Sequence, residues 1–411
     1  MKAENKLKLK VNKNKVQDKI DKLEQETRVY RSKRTKKASK VGKIVAALVL
    51  CLVFLFCIFN INYLTPSKMK EHMSAVFAHM GKGDGFPYRF SSNEVLNFSE
   101  FNSNDFVILT NSELIILNRT AKPVLKYSHS MSNPIMKCSA DRILLYDQGS
   151  TKAVVLNQSG QVLAFPNDNK IICGDVSNSG KVVLAFYDEN RSQFINVYSS
   201  VGKKIMNWKK GSGYIIDTTL NPGGNLVSVG LIDTVDAVKT VSVLSFTVSN
   251  AAQKGHIQLK EASLYDIHYL NNNDLAVLCS NAISVLNSKC KEKYRAELPS
   301  LSNKQLFCDN AGHIVNVYSL FNNGEYMVDT YNAALKKVDS EKCSGEVTSV
   351  TSNGSSLCIL FENHQAQLNM IGGKIDYRVN LKTDFKFALA RGRMIYTCTS
   401  GYVARDKAVK Q

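Results

Sequence analysis

The 411-residue sequence has one Trp, seven Pro and seven His, and none of its ten Cys falls in a C-x-x-C pair. A single Trp excludes repeat arrays in which every unit carries one. So few Pro, with 23 Gly, exclude a collagenous or low-complexity chain. The His residues, at 72, 79, 129, 256, 268, 313 and 364, show no H-x-H or H-x-x-x-H spacing, so no local metal site is expected. There is no phosphate-binding loop, nucleophile elbow or sialidase-type Asp box, and no cofactor is implied.

What the sequence does have is an excess of positive charge, +18 in all, and it is gathered at one end. Residues 1–43 hold 16 Lys or Arg against 5 Asp or Glu, a net of +11, which leaves +7 for the other 368 residues. A nucleic-acid partner is not expected, because a single aromatic residue, Tyr30, interrupts the basic stretch and a different feature explains it. From Ile44 to Phe59 every residue is apolar, and no charge occurs before Lys68. As a helix, Ile44 to Leu64 would cover roughly 31 Å at ~1.5 Å per residue, the thickness of a bilayer's hydrocarbon core. This predicts a single membrane-spanning helix over 44–64. A cleaved signal peptide fits less well, since a 43-residue leader is too long and NINYLTPS lacks an A-x-A arrangement.

Orientation follows from the flanking cations. Arg28, Arg31, Lys33, Arg34, Lys36, Lys37, Lys40 and Lys43 precede the span, against Lys68, Lys70 and Lys82 after it. The expectation is a basic cytoplasmic tail over 1–43 and everything beyond Thr65 outside the cytoplasm, in a single-pass protein of the cell membrane. Within the tail, Val16, Ile20 and Leu23 have helical spacing; the stripe either docks on a partner or lipid surface or is a solvated topology signal. Beyond the span, Met69, Met73, Val76, Phe77 and Met80 line one face of a short amphipathic helix or linker over 65–82.

The remainder repeats. Eight β-type runs each follow a polar turn and start at Phe106, Ile143, Val182, Leu226, Leu275, Ile314, Leu357 and Met394. Their spacings are 37, 39, 44, 49, 39, 43 and 37 residues. A second and a third run follow within each unit, as in LIILN, QVLAF and KIDYRV. A period of about 41 residues with three or four strands per unit predicts a mainly β protein, a β-propeller of eight blades with seven as the alternative, over 83–405. A TIM barrel would need a helix in every unit, and none is visible. The eighth unit is short, and the spare strand Phe86 to Phe90 is expected to close the ring by pairing with it, which leaves a charged C-terminal tail over 406–411.

The phrases GDGFPYRF (83–90), HSMSNPIMK (129–137), RILLYDQG (142–149), IICGDVSNSGKVVLAFYDE (171–189) and INVYSSVGKKIMNWKKGSGYI (195–215) resemble, in this order, a domain-of-unknown-function family. Its members are membrane-anchored proteins of Gram-positive bacteria, each with one N-terminal span and an extracytoplasmic β-propeller. The resemblance runs from about Ile44 to Val403 and implies location and architecture; it brings no catalytic residues.

Eight Cys lie outside the span. Most are expected to be free, because Cys279 and Cys398 sit at equivalent places in different units; Cys290 and Cys343 are the pair most open to doubt. Asp141, Asp175, Asp217, Asp266 and Asp309 recur near the unit starts. Turn residues bonding nearby amides are the main expectation, and carboxylates of a glycosidase-type site the alternative. His129, in HSMSNP, is expected to bond a backbone carbonyl in a polar turn. With no catalytic constellation, the expected function is a membrane-tethered binding or scaffold module, not an enzyme, engaging another envelope protein or a wall polymer. An extracytoplasmic hydrolase with its site in the channel, or a transmembrane sensor, is the alternative.

Overall fold

The computed structural model describes residues 17, 19, 22–28, 47–51 and 81–410, apart from 92–93, 103–104, 261, 300–302, 321–323, 374–375 and 382–384. The chain divides into two compact units, Met1–Met73 and Ser74–Gln411. In the first, residues 22–28 and 47–51 are helical. No helix among the described residues is long and apolar enough to cross a membrane, and most of the expected span from Ile44 to Leu64, like most of 65–82, lies outside them.

The second unit is an eight-bladed β-propeller. Blades one to seven are each formed by four consecutive antiparallel strands, ordered outward from the axis. The innermost strands are Val95–Phe101, Pro134–Cys138, Lys170–Val176, Tyr214–Leu220, Leu264–Tyr269, Asn303–Cys308, Val347–Ser352 and Phe387–Arg391. The apolar runs recognised in the sequence are the second strands, and those of the first two blades, Asp105–Thr110 and Ile143–Asp147, are buried at every position. The reason is position: a second strand is covered on both faces by neighbouring blades, so it reads as an unbroken apolar run, whereas an outer strand such as Glu292–Glu297 is covered hardly at all.

The core has the same logic. Its eight clusters among the described residues each lie between two adjacent blades, for example Phe101 to Leu156 between blades one and two, and Leu226 to Cys290 between blades four and five. A ring of this kind leaves no blade with an uncovered apolar face.

Blade eight supplies only Phe387–Arg391, Met394–Cys398 and Tyr402–Lys407 from the C-terminal end of the chain. Its outer strand is Tyr88–Arg89, with Tyr88 opposite Val403 and Arg89 opposite Tyr402. The Phe90 N–H donates to the Gly401 carbonyl at 3.0 Å. Phe86 lies beside the ladder instead of in it, its ring 5.3 Å from that of Tyr396 and 6.5 Å from that of Phe106. The seam between blades eight and one is further fixed by Arg391, whose Nε donates to Glu100 at 2.8 Å while the guanidinium lies 4.4 Å over the Phe106 ring.

One detail differs from the sequence reading. The last residues are not a separate tail: Asp406 and Lys407 finish the third strand of blade eight, and Val409–Lys410 pairs with Asp376–Asn380 as a fifth strand of blade seven, with Ala408 buried between them. A free strand edge nearby outweighs the solubility of a short basic segment. The chain also enters the propeller on the face that carries the turns between the third and fourth strands. There the Gly83 N–H donates to Thr120 Oγ1 at 2.9 Å, and a Cβ on Gly83 would collide with the backbone of residues 120–122.

No two of the nine described cysteines are joined in a disulfide; Cys290 and Cys343 are buried in different clusters, one shared by blades four and five and the other by blades six and seven. Burial pushes the thiols of Cys358 and Cys398 up to about 12, which keeps them in the unreactive form.

Candidate functional site

The surface that lines the axis is built from the innermost strands, and a recurrent irregularity shapes it. In six blades the register shifts by one residue near the strand start, leaving Leu96, Ile172, Ile216, Tyr265, Lys304 and Thr348 as the extra residues. Such bulges re-aim side chains at barrel and propeller rims. Ile216 and Tyr265 are exposed as a result, next to the exposed Tyr214.

Beyond each bulge, alternate residues share one side of the strand: Cys173 and Asp175 in blade three, Asp217 and Thr219 in blade four, Asp266 and His268 in blade five, Gln305 and Phe307 in blade six. Lys137 occupies the register of Asp175 and His268 in blade two, where no bulge occurs. Three of these side chains bracket neighbouring blades. Asp175 Oδ2 accepts from Leu220 N–H and Thr219 O–H, both at 2.9 Å. Asp217 Oδ2 accepts from Ile267 N–H at 3.1 Å. Gln305 both accepts from and donates to the Val350 backbone, at 3.0 and 2.8 Å. At the strand end Asp309 accepts from Ser352 Oγ and from the backbone amides of Ala311 and His313.

Lys137, Asp175, Asp217, Asp266 and His268 form one electrostatic cluster. Burial opposes the charge on Lys137, but the combined field of Asp217, Asp266 and Asp175 outweighs it and raises the pKa of the ammonium. Burial together with the neighbouring Asp266 carboxyl pushes Asp217 up to about 7. Burial lowers the pKa of His268, against the pull of Asp175, so its ring is neutral at pH 7. The strongest attractions on Lys137 come from blades four and five, two and three blades away.

Of the five aspartates singled out in the sequence, Asp175, Asp217 and Asp266 lie on innermost strands and converge at the axis, not in turns as mainly expected. Asp141 and Asp309 are the turn residues; Asp141 is exposed, 3.9 Å from Arg142. The bulges cause the difference, since they turn consecutive strand residues toward the axis. Sequence reasoning missed Lys137 and His268: PIMKC reads as an ordinary apolar strand, and the groups that define both residues come from other blades. His129 lies between blades one and two, its Nδ1 accepting from Met131 N–H at 3.4 Å. Phe86 and Phe90 flank the closing strand, while Ile44 and Leu64 fall outside the described residues. Among the described residues, no group of three or more His, Cys, Asp or Glu is arranged to hold a metal ion.

Among solved structures, the quinohemoprotein alcohol dehydrogenase from Comamonas testosteroni is similar with a TM-score of 0.54 at 8% identity, covering 78% of this chain and 76% of that one. The C-terminal WD40 domain of Sif2 is similar with a TM-score of 0.52 at 11% identity, covering 78% and 99%. BamB from Moraxella catarrhalis gives 0.48 at 12% identity, covering 77% and 96%. Likeness at these identities concerns the fold alone. No curated protein matches the sequence. Residues 88–401 do match the family of unknown function DUF5711, and the chain belongs to that family.

Proposed function

We propose that the protein is a membrane-tethered β-propeller that works outside the cytoplasm as a binding or scaffold module for another envelope protein or a wall polymer. One observation carries the reading of the propeller: the recurring carboxylates Asp175, Asp217 and Asp309 are engaged by amides and hydroxyls of their own and the next blade, so they hold the ring together instead of waiting on a substrate. The tether is supported by the uncharged stretch from Ile44 to Ser67 behind a tail of net +11. Confinement near the membrane raises the effective concentration of a binder toward other envelope components, whereas an enzyme acting on a diffusible substrate gains little from it. The convergence of Asp217, Asp266, Lys137 and His268 favours a second reading, a hydrolase with its site in the channel.

The topology is tested with protease added to intact cells stripped of their wall. The propeller should be degraded and a tag at residue 1 spared. Cleavage of that tag from outside, with the propeller protected, would reverse the orientation and sink the proposal.

A further inference from the structure

The outer wall of blade eight carries cations that no carboxylate answers. Arg89 lies 5.8 Å from the ring centre of Tyr402, Lys126 5.9 Å from that of Tyr88, Arg405 5.5 Å from that of Phe86 and Arg393 5.2 Å from that of Tyr377. These contacts tie blades seven, eight and one together, and all four cations are exposed. Among the described residues none of the four makes an ion pair, and neither do the exposed Arg378, Lys407 and Lys410 beside them. Blades five and six differ: there Lys293 is 2.6 Å from Asp274, Arg295 2.6 Å from Glu297, Lys337 2.8 Å from Asp329 and Lys342 2.9 Å from Glu325. The sequence shows the same excess. Residues 82–411 hold 35 Lys or Arg against 29 Asp or Glu, a net of +6, and segments 82–90, 123–128, 376–380 and 393–410, which build this wall, hold eight against three, a net of +5. Like charges gathered in this way repel one another, and a partner of opposite sign removes that cost.

We propose that the outer wall of blade eight docks on an anionic bilayer surface, its cations meeting the phosphate groups of the lipid headgroups. The proposal rests on the membrane tether put forward above. The cations are spread over three blades, which suits a flat, extended polyanion. The choice of a bilayer follows from the path of the chain: Tyr88–Arg89, the first strand after the expected span, is itself the outer strand of this wall. Seventeen residues lead from Leu64 to Gly81, a reach of at most roughly 60 Å when fully extended. The rings beneath the cations hold them outward without neutralising them, so the attraction to headgroups is kept.

The test places the full chain in lipid nanodiscs of phosphatidylcholine alone or with phosphatidylglycerol, and follows lysine acetylation by mass spectrometry. Each surface cation contributes roughly a fivefold preference for an anionic bilayer. Lys126, Lys407 and Lys410 should therefore react about fivefold more slowly in the anionic discs, and high salt should remove the difference. Lys254 and Lys260, exposed on the outer strand of blade four at the opposite side of the ring, should react alike in both. Arg89→Gln combined with Arg405→Gln should abolish most of the slowing, with a melting curve to show that the fold is kept. Equal rates in the two discs, or slowing that includes Lys254 and Lys260, would overturn the proposal. Slowing produced by soluble polyphosphate but not by anionic lipid would overturn it in favour of a wall polymer. A chain that fails to copurify with the discs would remove the tether and this proposal together, whereas a chain that copurifies and reacts equally in both would remove the docking alone.

Discussion

A chain beginning at Asn93 should melt about 10 °C below one beginning at Gly81, a loss on the order of 5 kcal/mol at the 2–4 °C per kcal/mol usual for large domains. The removed segment includes the outer strand of blade eight, Tyr88–Arg89, and the flanking rings of Phe86 and Phe90, which pack on the cluster shared by blades eight and one. Partial burial of three aromatic side chains contributes roughly 3 kcal/mol. The ladder and the bonds of Gly83, Gly85 and Phe90 add roughly 1 kcal/mol or less apiece. Removal also uncovers the edge of Tyr402–Lys407, so the shorter chain should aggregate as it unfolds. Differential scanning calorimetry of both chains decides the matter, and equal melting temperatures would show that the ring does not depend on this closure.

Lys137→Met should have the second large effect, and its size should depend on pH. Removing the ammonium leaves Asp175, Asp217 and Asp266 facing one another without the nearby cation, a loss of about 1–3 kcal/mol. Asp217 titrates near 7 in the folded protein and near 4 when unfolded, so its contribution to stability is complete below about pH 4 and is lost as pH rises through 7. Without Lys137 its pKa moves higher still, and the loss at pH 8 deepens while at pH 5 Asp217 remains protonated in both proteins. Urea midpoints for the chain beginning at Gly81 should therefore fall more at pH 8 than at pH 5. A uniform penalty, or a larger one at pH 5, would show that Lys137 does not balance these carboxylates.

The blade count was legible because second strands are covered on both faces: FVILT, ILLYD and VVLAFY carry no polar residue at alternate positions, and turns punctuate them at a regular interval. The innermost strands were far less legible. YIIDTTL and LYDIHY lose their alternation at a bulge, so neither period is clean, and their polar residues looked like turn chemistry. The charged cluster was invisible for a different reason. The aspartates whose field acts on Lys137 are 38, 80 and 129 residues away in sequence, and only the closed ring brings them near it. The fate of AVKQ was misread because a two-residue strand has no periodicity; it forms only where an unpaired edge is waiting.

The most direct test of the binding-module account is complementation of a strain lacking the gene, scored on whatever envelope defect the deletion produces. Asp175→Asn, Asp217→Asn and Asp309→Asn, each folded and anchored, should restore the cells, because these carboxylates serve the ring and not a reaction. The same propeller secreted without residues 1–80 should fail, because a scaffold must stay near the membrane. A folded, anchored Asp217→Asn protein that restored nothing, beside a released propeller that restored everything, would contradict the account and identify a channel enzyme.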